Sequence, residues 1–318
     1  MKTLIAFVVI ALAAGHLLMP LAPLAETRAL DPGLVRLLLV ELRLPRTLLV
    51  LGYGATLGIS GAALQALFAN PLASPDISGA SSGAALGAVL GGYWLGLAQP
   101  MALAACGAAG ALAAMALLIA LAGRRAETAT LLLAGLAISL AAGAATSLAL
   151  ALAPSPFAFY DAFDWLMGSV VDRSLPQALA ALIPAGLACL LLLRRARALD
   201  LIALGEDVAA SLGHRPRRLG LEVIVLSAIA VGACVAVAGA IGFVGLVAPV
   251  LARRITSGHP GQAMIPAALI GAILLTLADL AVRALALDRP VPIGVVTAVF
   301  GTPLFLYLIV SMRRGVAS

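Results

Sequence analysis

Long runs of apolar residues recur along the whole chain, separated by short polar stretches. Each run is close to the roughly 20 residues that a helix needs to cross about 30 Å of hydrocarbon. The runs are continuous in Leu, Ala, Val and Gly, whereas the strands of a membrane barrel would alternate polar and apolar positions. The pattern therefore predicts an integral membrane protein built from spanning α-helices.

Ten such runs are predicted to form one polytopic bundle over residues 1–318. The predicted spans lie near residues 4–24, 47–69, 77–98, 100–122, 129–152, 176–193, 220–239, 242–256, 264–286 and 293–311. The first span also resembles a signal peptide, because Lys2, an apolar stretch and Leu24-Ala25-Glu26 mimic a cleavage site. Its apolar stretch is longer than the roughly 7–15 residues of a usual signal core, so we expect a retained span.

Composition and charge predict where the protein lies in the cell and how it is oriented. A mean hydropathy of +1.13 with only 11% charged residues leaves too little polar surface to cover a water-soluble globule. Thirteen of the 20 basic residues fall on one face of the predicted topology, which the positive-inside rule makes cytoplasmic. We therefore expect both termini in the cytoplasm and the bundle in the inner membrane of a bacterial cell. This asymmetry and contact with anionic lipid account for the pI of 9.9 without nucleic acid.

Residues for catalysis or metal binding are sparse. The three cysteines fall inside apolar runs at unrelated spacings, which fits neither a disulfide framework nor a metal site. His16 lies in the first span and the other two histidines lie in loops, so none form a pair at ligand spacing. We expect no metal, no cofactor and no catalytic residue. Lys2 is the single lysine, so this sequence contains no P-loop.

Small residues recur at every fourth position in the third and fifth spans. They are Gly79, Gly83, Gly87 and Gly91 in the third, and Gly135, Ser139, Gly143 and Ser147 in the fifth. This spacing lets helix backbones approach closely. The stripes predict either a tight bundle with no further role or a pair of helices beside a transport path that can slide or part.

Three classes of function are open at this point. An intramembrane protease is suggested by the GISG at 58–61, but its serine would need a histidine base from a later span, and no later span has one. An ion-coupled transporter would use an ionisable residue such as Asp279 within a span. Arg283 follows four residues later on the same helix, so a local ion pair explains Asp279 more simply. The third class is a permease driven by an ATPase on another chain.

A polar segment, ALGEDVAASLG at 203–213, lies in a predicted cytoplasmic loop. Glu206 and Asp207 suit the first turn of a short helix and Gly213 suits the position after its end. Three apolar residues share one face of this helix: Leu204, Val208 and Leu212. Such a face could grip a cytoplasmic partner, or it could lie against the membrane or the protein's own bundle.

Seven segments, in order from residue 42 onward, together resemble one known family. They are LRLPR (42–46), SGAALQALFANPLASPDISGASSGAALGAVLG (60–91), WLMGS (165–169), ALGEDVAASLG (203–213), GAIGFVGLVAPVLARR (239–254), PAALIGAILLTLADLAVR (266–283) and VPIGVVTAVFGTPLFLYL (291–308). In these the chain resembles the FecCD-type permeases of ABC importers, which carry iron-siderophores, haem or cobalamin inward. It departs from the usual family pattern at Val250, Pro260 and Pro292.

The resemblance implies a type II importer subunit of ten helices, with short coupling helices near residues 200–214. The implied partners are a second permease subunit, identical or closely related, two ABC ATPase subunits, a periplasmic binding protein and membrane lipid. The residues implied to contact the ATPase are Leu204, Gly205, Glu206, Asp207, Val208, Leu212 and Gly213. Arg43, Arg46 and Arg283 are implied to receive carboxylates of the binding protein. A helix near 129–152 would line the path of an iron chelate, with cobalamin as the alternative cargo.

Overall fold

The computed structural model describes residues 2–19, 32–75, 79–97, 99–123, 128–152, 165–213, 215–285 and 291–316. Every regular element within these ranges is helical. In chain order the elements are α1 (Lys2–Leu18), α2 (Pro32–Leu37), a π-helical turn (Leu38–Arg43), α3 (Leu44–Leu67), α4 (Ala80–Tyr93), α5 (Pro100–Ala122), α6 (Thr128–Ala151), α7 (Leu175–Arg194), α8 (Ala196–Ile202), α9 (Glu206–Ser211), α10 (Pro216–Ala238), α11 (Val244–Arg254), α12 (Pro260–Ala284) and α13 (Ile293–Val316).

The all-α bundle predicted from the apolar runs is confirmed, because within the described ranges a helix lies at each of the ten positions. Among the described residues, six stretches are long and apolar enough to cross a membrane by themselves. They are Gly33–Leu67, Met101–Leu121, Leu133–Ala151, Leu175–Arg194, Pro216–Ala238 and Pro260–Ala284. Phe7–Leu18 and Ile293–Leu304 are shorter apolar helices. The protein is therefore a multi-pass membrane protein, and the exact set of ten spans stays a prediction.

The helix at the predicted span 242–256 is too short to cross a membrane by itself. Helix α11 has 11 residues there, which is about 16 Å of helix and half of the hydrocarbon core. The preceding stretch 239–243 is not helical, and Gly239 and Phe243 both have positive φ angles, of 74° and 66°. Irregular backbone is tolerated at membrane depth where protein buries it and satisfies its polar groups. The Tyr53 hydroxyl does this here by donating to the Gly239 carbonyl at 3.1 Å.

Helix α3 is the centre of the bundle. Most of its 24 residues are buried, including Leu49, Tyr53 and Leu57, and it packs against α7, α10, α11 and α12. Its small residues, such as Gly54 and Gly58, favour close contact with other helices over contact with lipid. The chain therefore places α3 inside the protein and leaves the outer faces of α5, α6 and α7 largely exposed.

Close backbone packing in this core joins α3 to α12. A methyl group added at Gly54 would collide with the Gly271 carbonyl, and one added at Gly58 would collide with the Ala267 carbonyl. The pairing of residue 54 with 271 and of 58 with 267 shows that the helices run antiparallel in fixed register. Small residues four apart on both helices permit this approach, and a larger side chain would separate the backbones.

The same register determines which residues of α3 and α12 lie opposite each other at the end of the two helices. Eight residues before Gly54 is Arg46, and eight residues after Gly271 is Asp279. At 1.5 Å per residue both positions lie about 12 Å from the glycine contact, on the same end of the helix pair. The packing of α3 on α12 therefore places a guanidinium opposite a carboxylate.

We expect Gly58→Ala to lower the melting temperature of the detergent-purified protein. Its new methyl group would meet backbone, which has little room to move, and overpacking of this kind costs about 1–3 kcal/mol. Gly186→Ala is the matched control, because a methyl group at Gly186 would have no atom within 4 Å. Melting can be followed by tryptophan fluorescence. Equal melting temperatures for the two variants would show that the α3–α12 contact is not tightly constrained.

Candidate functional site

A buried carboxylate organises the end of the bundle where α3 begins and α12 ends. Asp279 is 1% exposed and lies in the penultimate turn of α12. Arg46 donates to it through two nitrogens, with Nη2 at 2.8 Å from Oδ1 and Nε at 3.0 Å from Oδ2. Arg283 donates from Nε to Oδ2 at 2.9 Å, and His16 Nε2 lies 2.8 Å from the same oxygen. Groups from three helices thus satisfy one carboxylate, which makes its burial tolerable.

The ion pair between Asp279 and Arg283, predicted from their spacing of four residues, is confirmed. The contributions of Arg46 and His16 were not predicted, because they come from helices distant in the sequence. His16 is fully buried in the last turn of α1. The spacing of small residues at Gly54, Gly58, Ala267 and Gly271 would have indicated that α3 and α12 pack together.

Arginine side chains also satisfy the last carbonyl groups of α1. Arg283 Nη1 donates to the carbonyls of His16 and Met19 at 3.0 Å. Arg43 Nη1 donates to the carbonyls of Leu18 at 2.6 Å and Leu17 at 3.3 Å. The final carbonyls of a helix lack partners within it and carry partial negative charge, so cations stabilise them. These arginines therefore fasten the end of α1 to α3 and α12.

His16 connects the same three helices through its ring. Its Nδ1 lies 2.8 Å from the Thr47 hydroxyl oxygen. The Thr47 hydroxyl also lies 2.8 Å from the Arg43 carbonyl, to which it can donate. His16 is accordingly held at both ring nitrogens, by Thr47 of α3 and by Asp279 of α12.

Arg43, Arg46 and Arg283, together with Asp279 and His16, are here called the arginine cluster. The structure brings together the three arginines that the sequence analysis singled out. The cluster contains three guanidinium groups and one carboxylate, of which Arg46 and Arg283 contact the carboxylate, so it keeps an excess of positive charge. The side chains of Arg46 and Arg283 remain 19% and 13% exposed, whereas Arg43 is 8% exposed.

At its opposite end α12 contacts the short helix α8, which in turn contacts α9. Asp200 of α8 accepts a hydrogen bond from the Gly261 N–H at 2.7 Å, which satisfies a free donor in the first turn of α12. A methyl group at Gly261 would collide with the Ala196 carbonyl, so α8 lies against this turn. Because α12 has 25 residues, about 37 Å separate α8 from the end that carries Arg283.

The helix predicted in the polar segment 203–213 is confirmed as α9. It begins at Glu206, whose side chain lies outside the described residues, and Asp207 in its first turn is exposed. Gly205 and Gly213 flank it with φ angles of 121° and 84°. Of the three apolar residues predicted to share a face, Val208 lies on α9 and is 41% exposed, and Leu204 and Leu212 flank the helix and are 68% and 59% exposed. Ala209, on the inner side, is fully buried and holds α9 against the protein.

With this geometry established, comparison with known proteins identifies the family. The model of the FecCD transport family matches residues 3–311. The chain belongs to the FecCD transport family. The vitamin B12 import system permease protein BtuC of Citrobacter koseri is 38% identical over 282 residues, covering 86% of this chain and 83% of that protein. The Fe(3+)-citrate import system permease protein YfmE of Bacillus subtilis is 35% identical over 277 residues, covering 85% and 80%.

A solved structure supports the same assignment. An inward-facing conformation of a metal-chelate type ABC transporter matches with a TM-score of 0.85 at 29% identity, covering 98% of both chains. The chain is therefore an ABC importer permease of the FecCD family, and the ion-coupled transporter and intramembrane protease considered from the sequence are set aside. Its relatives are named as permease proteins of import systems, which implies ATPase and binding-protein partners.

The two stripes of small residues in this FecCD permease lie in different surroundings. On α4, Gly83 and Gly87 approach the backbone of α5 so closely that a methyl group on either would collide with it, and Gly91 packs against Cys106. Gly79 precedes α4 with a φ of 80° and lies near the Gly135 carbonyl of α6.

The stripe on α6 changes character along the helix. Gly135 is buried, Ser139 is half-buried, and Gly143 and Ser147 are exposed. A methyl group at Gly143 would have no atom within 4 Å. The far half of this stripe therefore faces away from the rest of this chain.

The departures from the family pattern fit their local structure. Pro260 is the first residue of α12, where proline is favoured because its fixed φ suits the helix and no N–H is needed. Pro292 precedes α13, and its carbonyl accepts the N–H of Val295 at 3.1 Å. Val250 is 9% exposed and packs with Val247, Leu274 and Leu304. All three are compatible with the bundle as it stands.

Proposed function

We propose that this permease moves an iron chelate, a siderophore complex or haem, from the periplasm to the cytoplasm. A separate ATPase drives the movement and a periplasmic binding protein delivers the cargo. The observation that carries the proposal is the position of α12 between two exposed sites. One end of α12 bears the positively charged arginine cluster, and the other end contacts α8, which leads to the exposed Val208 of α9. The similarity to a metal-chelate type transporter over 98% of the chain and to the Fe(3+)-citrate permease supports the iron chelate. The similarity to vitamin B12 permeases makes cobalamin the second candidate.

The cargo is tested by uptake into proteoliposomes that contain the permease with its cognate ATPase. We expect ATP-dependent accumulation of a ferric siderophore or haem presented on the cognate binding protein, and none without ATP. Cobalamin presented in the same way is the comparison. Uptake of cobalamin alone would replace the iron chelate by the second candidate, and uptake of none of the three would contradict both.

The proposed assembly contains two permease subunits, identical or closely related, two ATPase subunits and one binding protein. Both termini and the polar segment 203–213 lie in the cytoplasm and the arginine cluster faces the periplasm of the inner membrane. The distribution of basic residues supports this orientation. The exposed face of Gly143 and Ser147 on α6 supports a role beside the transport path or against the second permease.

Helix α9 suits a groove on the ATPase because its apolar face is exposed while its inner side is anchored by Ala209. Each of Leu204, Val208 and Leu212 would contribute on the order of 1.5–3 kcal/mol on full burial in a partner. Gly205 and Gly213 permit the sharp turns that present α9. The hydrogen bond from Gly261 to Asp200 then links a displacement of this region to α12.

We expect Val208→Asp to release the ATPase, or to abolish the stimulation of ATP hydrolysis by loaded binding protein. The charge removes an apolar contact and adds a desolvation cost. Because the segment lies outside the bilayer, the variant should fold and insert normally. Ala210→Asp is the matched control: it adds the same charge to an exposed position of α9 away from the face of Leu204, Val208 and Leu212. Copurification of the ATPase in full amount with Val208→Asp, with normal stimulated hydrolysis, would place the ATPase contact elsewhere.

The arginine cluster suits a periplasmic partner that carries carboxylates. Its charge excess lies at a partly exposed helix end, on the face where anionic lipid does not require arginine. Charges at the rim of an interface mainly set association rate and salt sensitivity, whereas a desolvated pair costs about 2–5 kcal/mol when one member is removed. Arg43, Arg46 and Arg283 together would attract and orient an acidic surface.

We expect Arg46→Gln to slow association of the cognate binding protein with the permease–ATPase complex in nanodiscs, by roughly three- to tenfold at low salt, and to flatten the salt dependence. Glutamine keeps much of the side-chain length but removes the charge. Arg36→Gln is the control, because Arg36 is exposed on α2, outside the cluster, and should change the rate much less. Equal association rates for the two variants would rule out this docking surface.

A further inference from the structure

The three arginines of the cluster differ in what they can offer a partner. A guanidinium has five N–H groups on two usable edges. Arg46 turns the edge formed by Nε and Nη2 toward Asp279. Its Nη1 makes no hydrogen bond to any group in the described part of the chain, and its side chain is 19% exposed. Arg46 can therefore bind a second carboxylate while it keeps the first.

Arg283 is committed to the protein through its Nε and Nη1. Its Nε donates to Asp279, its Nη1 donates to the carbonyls of His16 and Met19, and its Nη2 lies 3.1 Å from His16 Nε2. Arg43 likewise directs Nη1 to the carbonyls at the end of α1. For either to bind a partner through these groups, the end of α1 would have to be released. In the present arrangement they supply charge, and Arg46 supplies hydrogen bonds.

Asp279 itself is fixed more firmly than Arg46. His16 and Arg283 both contact its Oδ2, and the register of α3 on α12 sets its distance from Arg46. A long side chain held at one edge by a fixed carboxylate loses less rotational freedom when it binds a second one. The short, well-aligned pair thus prepares Arg46 before any partner arrives.

We propose that Asp279 is the positioning residue of the docking site: it holds the inner edge of Arg46 so that the outer edge meets a carboxylate of the binding protein. This inference rests on the docking proposed above. It assigns Asp279 two opposite effects. At long range its negative charge opposes an acidic partner, and at contact it improves the geometry of Arg46.

The two effects separate in the kinetics of Asp279→Asn. Loss of the charge should raise the association rate constant by about twofold at low salt, since electrostatic steering acts on association. Loss of the bidentate contact should raise the dissociation rate constant by about tenfold, since contact geometry acts mainly on dissociation. A purely structural role would instead lower the amount of folded complex without raising the association rate constant.

The measurement is binding of the cognate binding protein to immobilised nanodiscs that hold the permease–ATPase complex. Asp279→Glu is the second variant, because it keeps the charge and moves the carboxylate by one methylene. It should leave association unchanged and still raise the dissociation rate constant. Asp279→Glu also tests the positioning role by itself if Asp279→Asn fails to assemble.

Arg46→Lys completes the test, because lysine keeps the charge but lacks a second edge. Arg46→Lys alone should raise the dissociation rate constant. Adding Asp279→Asn to Arg46→Lys should change this constant further by less than about twofold, because both substitutions act through the contacts of the Arg46 guanidinium. Unchanged dissociation in both Asp279 variants, together with impaired binding in Arg46→Gln, would overturn the positioning role and leave the docking surface intact. Unchanged binding in Arg46→Gln would overturn the docking surface itself.

Discussion

The close contact between α3 and α12 is the constraint on which both ends of this permease depend. Glycine and alanine at the crossing let the two backbones touch, and the resulting register leaves no choice about which residues oppose one another. Toward one end the register aligns Arg46 with Asp279. Toward the other, α12 begins against α8. A displacement of one helix by a single turn, about 5.4 Å, would separate the ion pair and place Ala267 or Leu275 opposite Gly54 in place of Gly271.

Contacts within the arginine cluster offset the energetic cost of placing its charges in the bundle. Three guanidinium groups at a helix end repel one another, and a bare carboxylate in the bundle would be strongly disfavoured. Asp279 compensates the arginines, and the carbonyls at the end of α1 satisfy N–H groups that the carboxylate cannot reach. The same contacts that stabilise the cluster therefore tie the first helix to the bundle. Recognition and stability share these residues, so a substitution here affects both.

The sequence predicted the helices well because each apolar run is long and continuous. It failed where the signal is short or distant. The break between Gly239 and Phe243 falls at the predicted boundary between the spans 220–239 and 242–256, but the continuous apolar run does not show that the following helix, α11, has only 11 residues. The pairing of Asp279 with Arg283 is local and was predicted from their spacing. The partners His16 and Arg46 belong to helices far apart in the chain, and only the packing of α3 on α12 reveals them.

The same packing limits where this protein can change shape. Sliding α12 along α3 by one turn would place Ala267 or Leu275 opposite Gly54 in place of Gly271, and would also break the contact of Arg46 with Asp279. These two helices therefore behave as a single unit, with α8 attached through Asp200. On α6, by contrast, Gly143 has no neighbouring atom within reach of a methyl group. A structure that couples its two ends through a rigid α3–α12 pair must accommodate movement at such outer faces, where the chain makes few contacts with itself.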